Sequence, residues 1–295
     1  MINKDQVLTI VSSQNVSLEE IDNKLKNTFS LDITQKVVLG KNSYDFFINS
    51  ISDAQIQEIK KYFFDQKTDC CIQSINNREK KIFLSDMDAT IIENETLDDL
   101  VKISGVTDNI DETSKLAMEG KIDIQTTLNL RVNYLKNKPR SLIDEVLKGI
   151  KFNQGSKILV QTLNSKNFIT TLITGGFAPI STYVGDTLGF QNIISNEFKF
   201  EGDKFTGEYI SITGEKNSKL NYLNEFTETN KIEKSKVLAI GDGANDLGML
   251  KNAGLGVGYN AHEIVRQEVK EQIFFNDLTT ILFYLGISKA EFKLD

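Results

Sequence analysis

Three short apolar runs in this 295-residue chain each stop on a cluster of small, polar or acidic residues. IFLS (82–85) stops on Asp86-Met87-Asp88-Ala89-Thr90, FITTLI (168–173) on Thr174-Gly175-Gly176, and VLAI (237–240) on Gly241-Asp242-Gly243-Ala244-Asn245-Asp246. Continuous apolar runs of this length suit strands buried on both faces. GLGVGYN (254–260) and QIFF (272–275) add two more such signals, and helical stretches separate them. Strands that alternate with helices predict an α/β fold built on a doubly wound parallel sheet. In such sheets ligands gather outside the carboxyl ends of the strands, where these three clusters fall. The stretch about 95–165 reads as helical without a convincing strand, so it is expected to be a cap inserted over that edge. NEFKFEGDKFTGEYISITG (196–214), with Gly202-Asp203 at its turn, reads as a β-hairpin.

The first 80 residues follow a different pattern. VLTIV (7–11) reads as a strand, and Ser17 with Glu20 three residues later forms a capping box that opens an amphipathic helix. VVLG and YDFFI flank Lys41-Asn42-Ser43 as a hairpin, Asp53 opens a second helix, and CCIQSI closes as a strand. The order β-α-β-β-α-β is the ferredoxin-like split unit, a small α+β domain. The charged segment NNREKK (76–81) follows, so the division expected is 1–78 and 79–295, in line with the roughly two domains that this length allows.

Composition narrows the function classes. Lys+Arg 34 against Asp+Glu 41 gives a net charge of −7, with no basic block, which argues against a nucleic-acid partner. The single histidine, His262, excludes a His-based triad or a multi-His zinc site within one chain. Cys70 and Cys71 are adjacent, so on a strand they point to opposite faces and form no ordinary bridge. With no disulfide framework, no signal-peptide core at the N-terminus and no apolar stretch near ~20 residues, a cytoplasmic protein without a membrane partner is expected.

The chemistry lies in the combination of clusters. In D-x-D-x-T, two carboxylates stand two residues apart where a buried strand gives way to a loop, and a hard cation with oxygen ligands reconciles such charges. An EF-hand loop starting at Asp86 fails, because Ile91 stands where that loop needs glycine and Leu97 where it needs glutamate. A hydroxyl followed by two glycines at a strand end makes a nest for an anionic oxygen. The glycines of G-D-G-x-N-D admit a ligand close to the backbone, and Lys219 opens a later helix. Together they describe a phosphoryl-transfer site: one carboxylate attacks phosphorus, a second handles protons, a third holds a metal, and Thr, Lys and N–H groups neutralise the oxygens.

FLSDMDATIIENETLDDL, LITGGF and VLAIGDGANDLGML resemble the phosphoserine phosphatases of the haloacid-dehalogenase superfamily, over about residues 82–275. The resemblance implies that Asp86 is the nucleophile of an aspartyl-phosphate and Asp88 the acid and then the base. It implies Mg2+ held by the side chains of Asp86 and Asp242 and the backbone carbonyl of Asp88, with Asp246 orienting its neighbours. Thr174, Gly175, Lys219 and Asn245 are then expected at the phosphate, Glu95 at the substrate's amino group, and Arg131 at its carboxylate. On residue type alone, Glu95 also reads as a helix N-terminal carboxylate and Arg131 as a solvated arginine. Lys216 competes with Lys219, whose 23-residue spacing to Asp242 suits the family. Ala89 stands where the family usually has serine, and Thr174 keeps the hydroxyl of the more frequent serine. The implied reaction is hydrolysis of O-phosphoserine, the last step of serine biosynthesis. Two other readings stand beside it: phosphotransfer to another hydroxyl such as homoserine, and an inactive amino-acid-binding regulator. The N-terminal unit is similar in topology to ACT-like domains, which implies amino-acid binding or a homodimer.

Overall fold

A computed structural model describes residues 6–106, 116, 119, 121–213 and 217–294, so part of the expected cap, and Lys216, lie outside the described residues. Among the described residues the chain forms two sheets. The first contains β1 (Gln6–Ser12), β2 (Ile33–Gly40), β3 (Ser43–Ile48) and β4 (Thr68–Ser74) in the order β2-β3-β1-β4, all antiparallel. Helices α1 (Leu18–Phe29) and α2 (Asp53–Asp65) complete the ferredoxin-like unit. The Ser17–Glu20 capping box is formed, and Ser52 with Gln55 makes a second one at α2.

The second sheet runs β11 (Glu271–Ile273), β10 (Leu255–Tyr259), β9 (Val237–Gly241), β5 (Ile82–Ser85), β6 (Ile169–Ala178), β7 (Asn192–Glu201) and β8 (Lys204–Ile210). Every pair is parallel except β7 with β8, the expected hairpin, which forms one edge of the sheet. β5 and β9 are buried at every position, as apolar runs covered on both faces must be. From β5 the chain passes through the helices α3 (Thr96–Ile103), α4 (Ile124–Tyr134), α5 (Leu142–Lys148) and α6 (Ser156–Ser165) before entering β6. The strand order therefore reverses at β5, and the carboxyl ends of β5, β6 and β9 meet at that switch point. Further on, α7 (Ile180–Leu188), α8 (Ser218–Asn230), α9 (Leu247–Asn252) and α10 (Glu263–Glu268) join the remaining strands, and α11 (Thr280–Tyr284) follows the last of them. No helix among the described residues is long and apolar enough to cross a membrane.

The two sheets are held together by polar ties over shared apolar surface. Cys70 faces the core of the ferredoxin-like unit, whereas Cys71 joins Val11 and Leu39 in the core of the larger sheet. Burial pushes the Cys70 thiol up to about 12 and that of Cys71 well above the ordinary value. Asp69, buried on β4, accepts hydrogen bonds from the backbone N–H groups of Phe274, Phe275 and Asn276 and from Asn276 Nδ2. Arg78 pairs with Asp45 at 2.7 Å and donates to the carbonyls of Phe283 and Tyr284.

Asp69→Ala should leave three backbone donors without their acceptor. Because an unsatisfied buried donor costs about 1–3 kcal/mol, the loss should be on the order of 3 kcal/mol. Urea unfolding should show the midpoint falling accordingly, with Asp69→Asn, which retains one acceptor oxygen, lying between the two.

Candidate active site

The site grows from one register. Ser85 lies beside Leu172 on β6 and Ile240 on β9, so Asp86, Thr174 and Asp242 leave the sheet close to one level. Asp86 N–H still donates to the Ile240 carbonyl at 3.0 Å, which holds the residue at the strand end. The chain then turns back: Thr90, Ile91 and Ile92 N–H groups all donate to the Met87 carbonyl, and Ala89 takes a left-handed φ of 51°. That turn brings Asp88 against the start of α3, where its Oδ1 accepts from Thr96 N–H at 2.8 Å. Asp88 Oδ2 lies 3.4 Å from Thr174 Oγ1, its donor.

Lys219, only 2% exposed, sits between two carboxylates, 2.6 Å from Asp86 Oδ1 and 2.6 Å from Asp246 Oδ1. Burial by itself weakens the ammonium's hold on its proton, but Asp246 and Asp86 reverse this and raise its pKa. The other oxygen of Asp246 accepts from the N–H groups of Asp242 and Gly243. Only glycine fits at 241, because a Cβ there would lie 2.4 Å from Asp246 Cγ. Asp242 Oδ1 accepts from Thr90 Oγ1 at 2.9 Å, so the threonine of D-x-D-x-T orients a carboxylate on another strand.

Oxygens of Asp86, Asp242 and Asp246 all lie within 4.8 Å of one another. Three buried carboxylates against one ammonium leave an excess of negative charge. Burial, with Asp246 next, lifts Asp86 well above the ordinary carboxyl range, and the same two causes push Asp242 up to about 7. Burial also pushes Asp88 up to about 6, against the Thr96 hydrogen bonds. An all-oxygen cluster that is short of positive charge fits a hard divalent cation.

α3 ties this centre to the inserted helices. Glu95 occupies its N-cap without a side-chain capping bond. Burial first, then Asp88, Asp242, Asp98 and Asp86, raise its pKa. One turn on, Asp98 Oδ1 meets Arg131 Nε of α4 at 2.5 Å, and Arg131 Nη1 donates to the Thr127 carbonyl. Arg131 is 5% exposed, so the reading as a solvated arginine does not hold. Asp98, which the sequence reading did not single out, is recognisable only once α3 and α4 are packed.

The expected end of β6 at Ile173 is not its end. The strand continues to Ala178, with Thr174-Gly175-Gly176 set opposite the single residue Ser195 of β7. The bulge bends these residues away from the ladder. A side chain at Gly176 would crowd the site, since a Cβ would lie 2.9 Å from Met87 Cε and 3.1 Å from Asp88 Oδ2. At Gly175 a Cβ would meet nothing, so this residue borders open space. Asn245 is partly exposed, yet its Oδ1 is buried without a hydrogen-bond partner. Asp86, Asp88, Thr174, Lys219 and Asp242 are thus brought together directly, with Glu95 and Arg131 joined to them through α3.

Residues 83–251 match the haloacid dehalogenase-like hydrolase family. The chain is 33% identical over 206 residues to the phosphoserine phosphatase of Lactococcus lactis, covering 70% of this chain and 95% of that protein. It is 31% identical over 217 residues to the phosphoserine phosphatase of Archaeoglobus fulgidus, covering 74% of this chain and 63% of the relative. A solved structure of a phospho-aspartyl intermediate analogue of phosphoserine phosphatase superposes with a TM-score of 0.67 at 30% identity, over 70% of this chain and 99% of that one.

The charge excess has a pH signature. A carboxyl whose folded pKa is raised holds its proton in the folded state after the unfolded chain has released it, so stability falls as pH rises through the folded value. With Asp242 at about 7, the protein in chelator should melt at a lower temperature at pH 8 than at pH 6. A saturating divalent cation should flatten that difference, and Asp242→Asn should melt higher than the parent in chelator at pH 8. A melting temperature that rises from pH 6 to pH 8 in chelator would contradict the charge reading.

Proposed function

The chain belongs to the haloacid dehalogenase-like hydrolase family, and on that premise we propose that it hydrolyses O-phosphoserine to serine and phosphate through an aspartyl-phosphate on Asp86. The observation that carries this is a carboxylate buried at the end of β5, with Lys219 at 2.6 Å and Asp88 two residues on.

Lys219 and the Met87 N–H both hold Asp86 Oδ1, so Oδ2 is the oxygen presented to phosphorus. As the new P–O bond forms, the bond from phosphorus to the serine oxygen breaks, and Asp88 gives that oxygen its proton. A pKa of about 6 suits Asp88 to this work, because the group is neither firmly acid nor firmly base near neutrality. In the second step Asp88 takes a proton from water, the water oxygen bonds to phosphorus, and the bond to Asp86 breaks. Serine and inorganic phosphate leave, and both aspartates return to their starting states.

Asp86 and Asp242, with the backbone carbonyl of Asp88, would hold Mg2+, whose charge when bound offsets that of the phosphoryl oxygens. Thr174 Oγ1, the Gly175 N–H, Lys219 and the Asn245 amide meet the phosphate oxygens. The open side of Gly175 supports that placement. Glu95 answers the substrate ammonium. Arg131 takes the carboxylate, held in place by Asp98. A guanidinium fork suits a carboxylate because it offers two parallel hydrogen bonds.

A phosphate-release assay over a panel of phosphomonoesters tests the substrate. Phosphoserine should be turned over with the highest kcat/KM, activity should vanish in chelator, and Mg2+ but not Ca2+ should restore it, since Ca2+ takes more ligands at longer distances. Asp86→Asn should lower kcat by on the order of 10³-fold or more, as loss of a covalent nucleophile does.

Specificity is tested by Arg131→Lys, which keeps a cation beside Asp98 and removes the fork. Loss of a buried charged contact is worth roughly 2–5 kcal/mol, so kcat/KM for phosphoserine should fall about 30-fold or more. An aryl phosphate without a carboxylate should lose little. Equal losses on both substrates would give Arg131 to catalysis or folding instead.

A further inference from the structure

The bulge at Thr174-Gly175-Gly176 takes two carbonyls out of the β6–β7 ladder, and side chains from outside the motif replace the lost partners. Asn196 of β7, fully buried, donates from Nδ2 to the Gly175 carbonyl at 2.8 Å. Its Oδ1 accepts from the N–H groups of Ile212 at 2.8 Å and Thr213 at 2.9 Å. Thr213 Oγ1 in turn donates to the Thr174 carbonyl at 2.5 Å. The Thr213 carbonyl accepts from Ser218 Oγ at 2.7 Å, in the first turn of the helix that carries Lys219.

A trans peptide is planar, with its C=O and N–H pointing in opposite directions. Fixing the Thr174 carbonyl therefore fixes the direction of the Gly175 N–H, and fixing the Gly175 carbonyl fixes that of Gly176. The Gly176 N–H is already used, donating to Thr174 Oγ1 at 2.8 Å, which leaves that hydroxyl oriented toward Asp88. Gly175 brings no side chain of its own to hold its peptide. We infer that Asn196 and Thr213 are positioning residues that aim the Gly175 N–H at a phosphoryl oxygen and lock that nest to the helix of Lys219. Because the target is a phosphoryl oxygen, this role rests on the proposed phosphatase activity. A donor held in advance is worth most where charge develops, since nothing has to reorganise as the reaction proceeds.

Thr213→Val is the sharpest test, because it keeps the shape and removes the donor to the Thr174 carbonyl. Asn196→Asp keeps both acceptor bonds but sets a carboxylate oxygen against the Gly175 carbonyl. Each variant should lower kcat about tenfold or more on phosphoserine and on an aryl phosphate alike. Each should also weaken binding of inorganic phosphate, read by calorimetry in MgCl2, by a smaller factor. KM for phosphoserine should change less than kcat, and Thr213→Ser, which restores the hydroxyl, should recover most of the loss. All measurements are made below the melting temperature of each variant; should Thr213→Val fail to fold, Asn196→Ser carries the same readouts. Wild-type kcat and phosphate affinity in the folded variants would overturn the inference, as would a loss of melting temperature alone. A parent protein that binds phosphate and hydrolyses the aryl phosphate but not phosphoserine would overturn the substrate proposal instead, and leave this role to be decided by the variants.

Discussion

One buried ammonium sets the conditions for the whole centre. Lys219 is surrounded by more carboxylate than it can neutralise, with Asp86 and Asp246 in direct contact and Asp242 close by. Taking such groups out of water costs several kcal/mol per ion unless partners return it. The surrounding structure consists of those partners. Two backbone amides hold Asp246, Thr90 holds Asp242, and Gly241 has no side chain because Asp246 occupies its space. What these bonds do not supply is enough positive charge, and burial, with Asp246 next, raises the pKa of both Asp86 and Asp242. A folded state that tolerates this deficit is less stable than one with a plain apolar core would be, and that is the usual condition of a site shaped for a charged ligand.

The strand ends alone account for a phosphate, not for a particular phosphomonoester. The proposed selectivity rests on α3, which is only eight residues long yet touches three parts of the site. Its first N–H holds Asp88, its N-cap places Glu95 among the carboxylates, and its first turn anchors Arg131 through Asp98. A displacement of α3 would therefore alter Asp88, the proposed proton-transfer group, and both proposed substrate contacts at once. Loops displaced from a rigid scaffold usually vary independently; here a short helix couples them.

How much of this was legible in the sequence depended on range. The parallel sheet and its three functional strand ends were legible because each is local: an apolar run, then a glycine or a carboxylate. The alternation of Cys70 and Cys71 was legible for the same reason, since adjacent residues on a strand face opposite sides. The choice of Lys219 rests on spacing alone; the structure sets it between Asp86 and Asp246, and Lys216 lies outside the described residues. The continuation of β6 past Ile173 was not legible, because two glycines read as the end of a strand unless the neighbouring strand's register is known. Asp98 and Asn196 gave no signal either. One is an acid on a polar helix and the other an asparagine in a hairpin, and both owe their role to partners 33 and 21 residues away.

The attachment of the ferredoxin-like unit was likewise invisible in a pattern that showed only two units in series. Asp69 does what a helix cap does, except that its donors lie about 205 residues downstream: it gathers the N–H groups of the segment that follows β11. At the end of β11 the Ile273 carbonyl accepts from Asn260 N–H, and two residues later His262 N–H donates to the carbonyl of Asp242. Hydrogen bonds and short stretches of chain thus link the first sheet to the backbone of Asp242. A link of this kind does not amount to signalling, because coupling requires an element with two arrangements whose balance both sites can bias. What a single arrangement transmits is position. In this arrangement the N-terminal unit braces the segment that follows β11, at the far edge of the sheet whose third strand, β9, leads into Asp242.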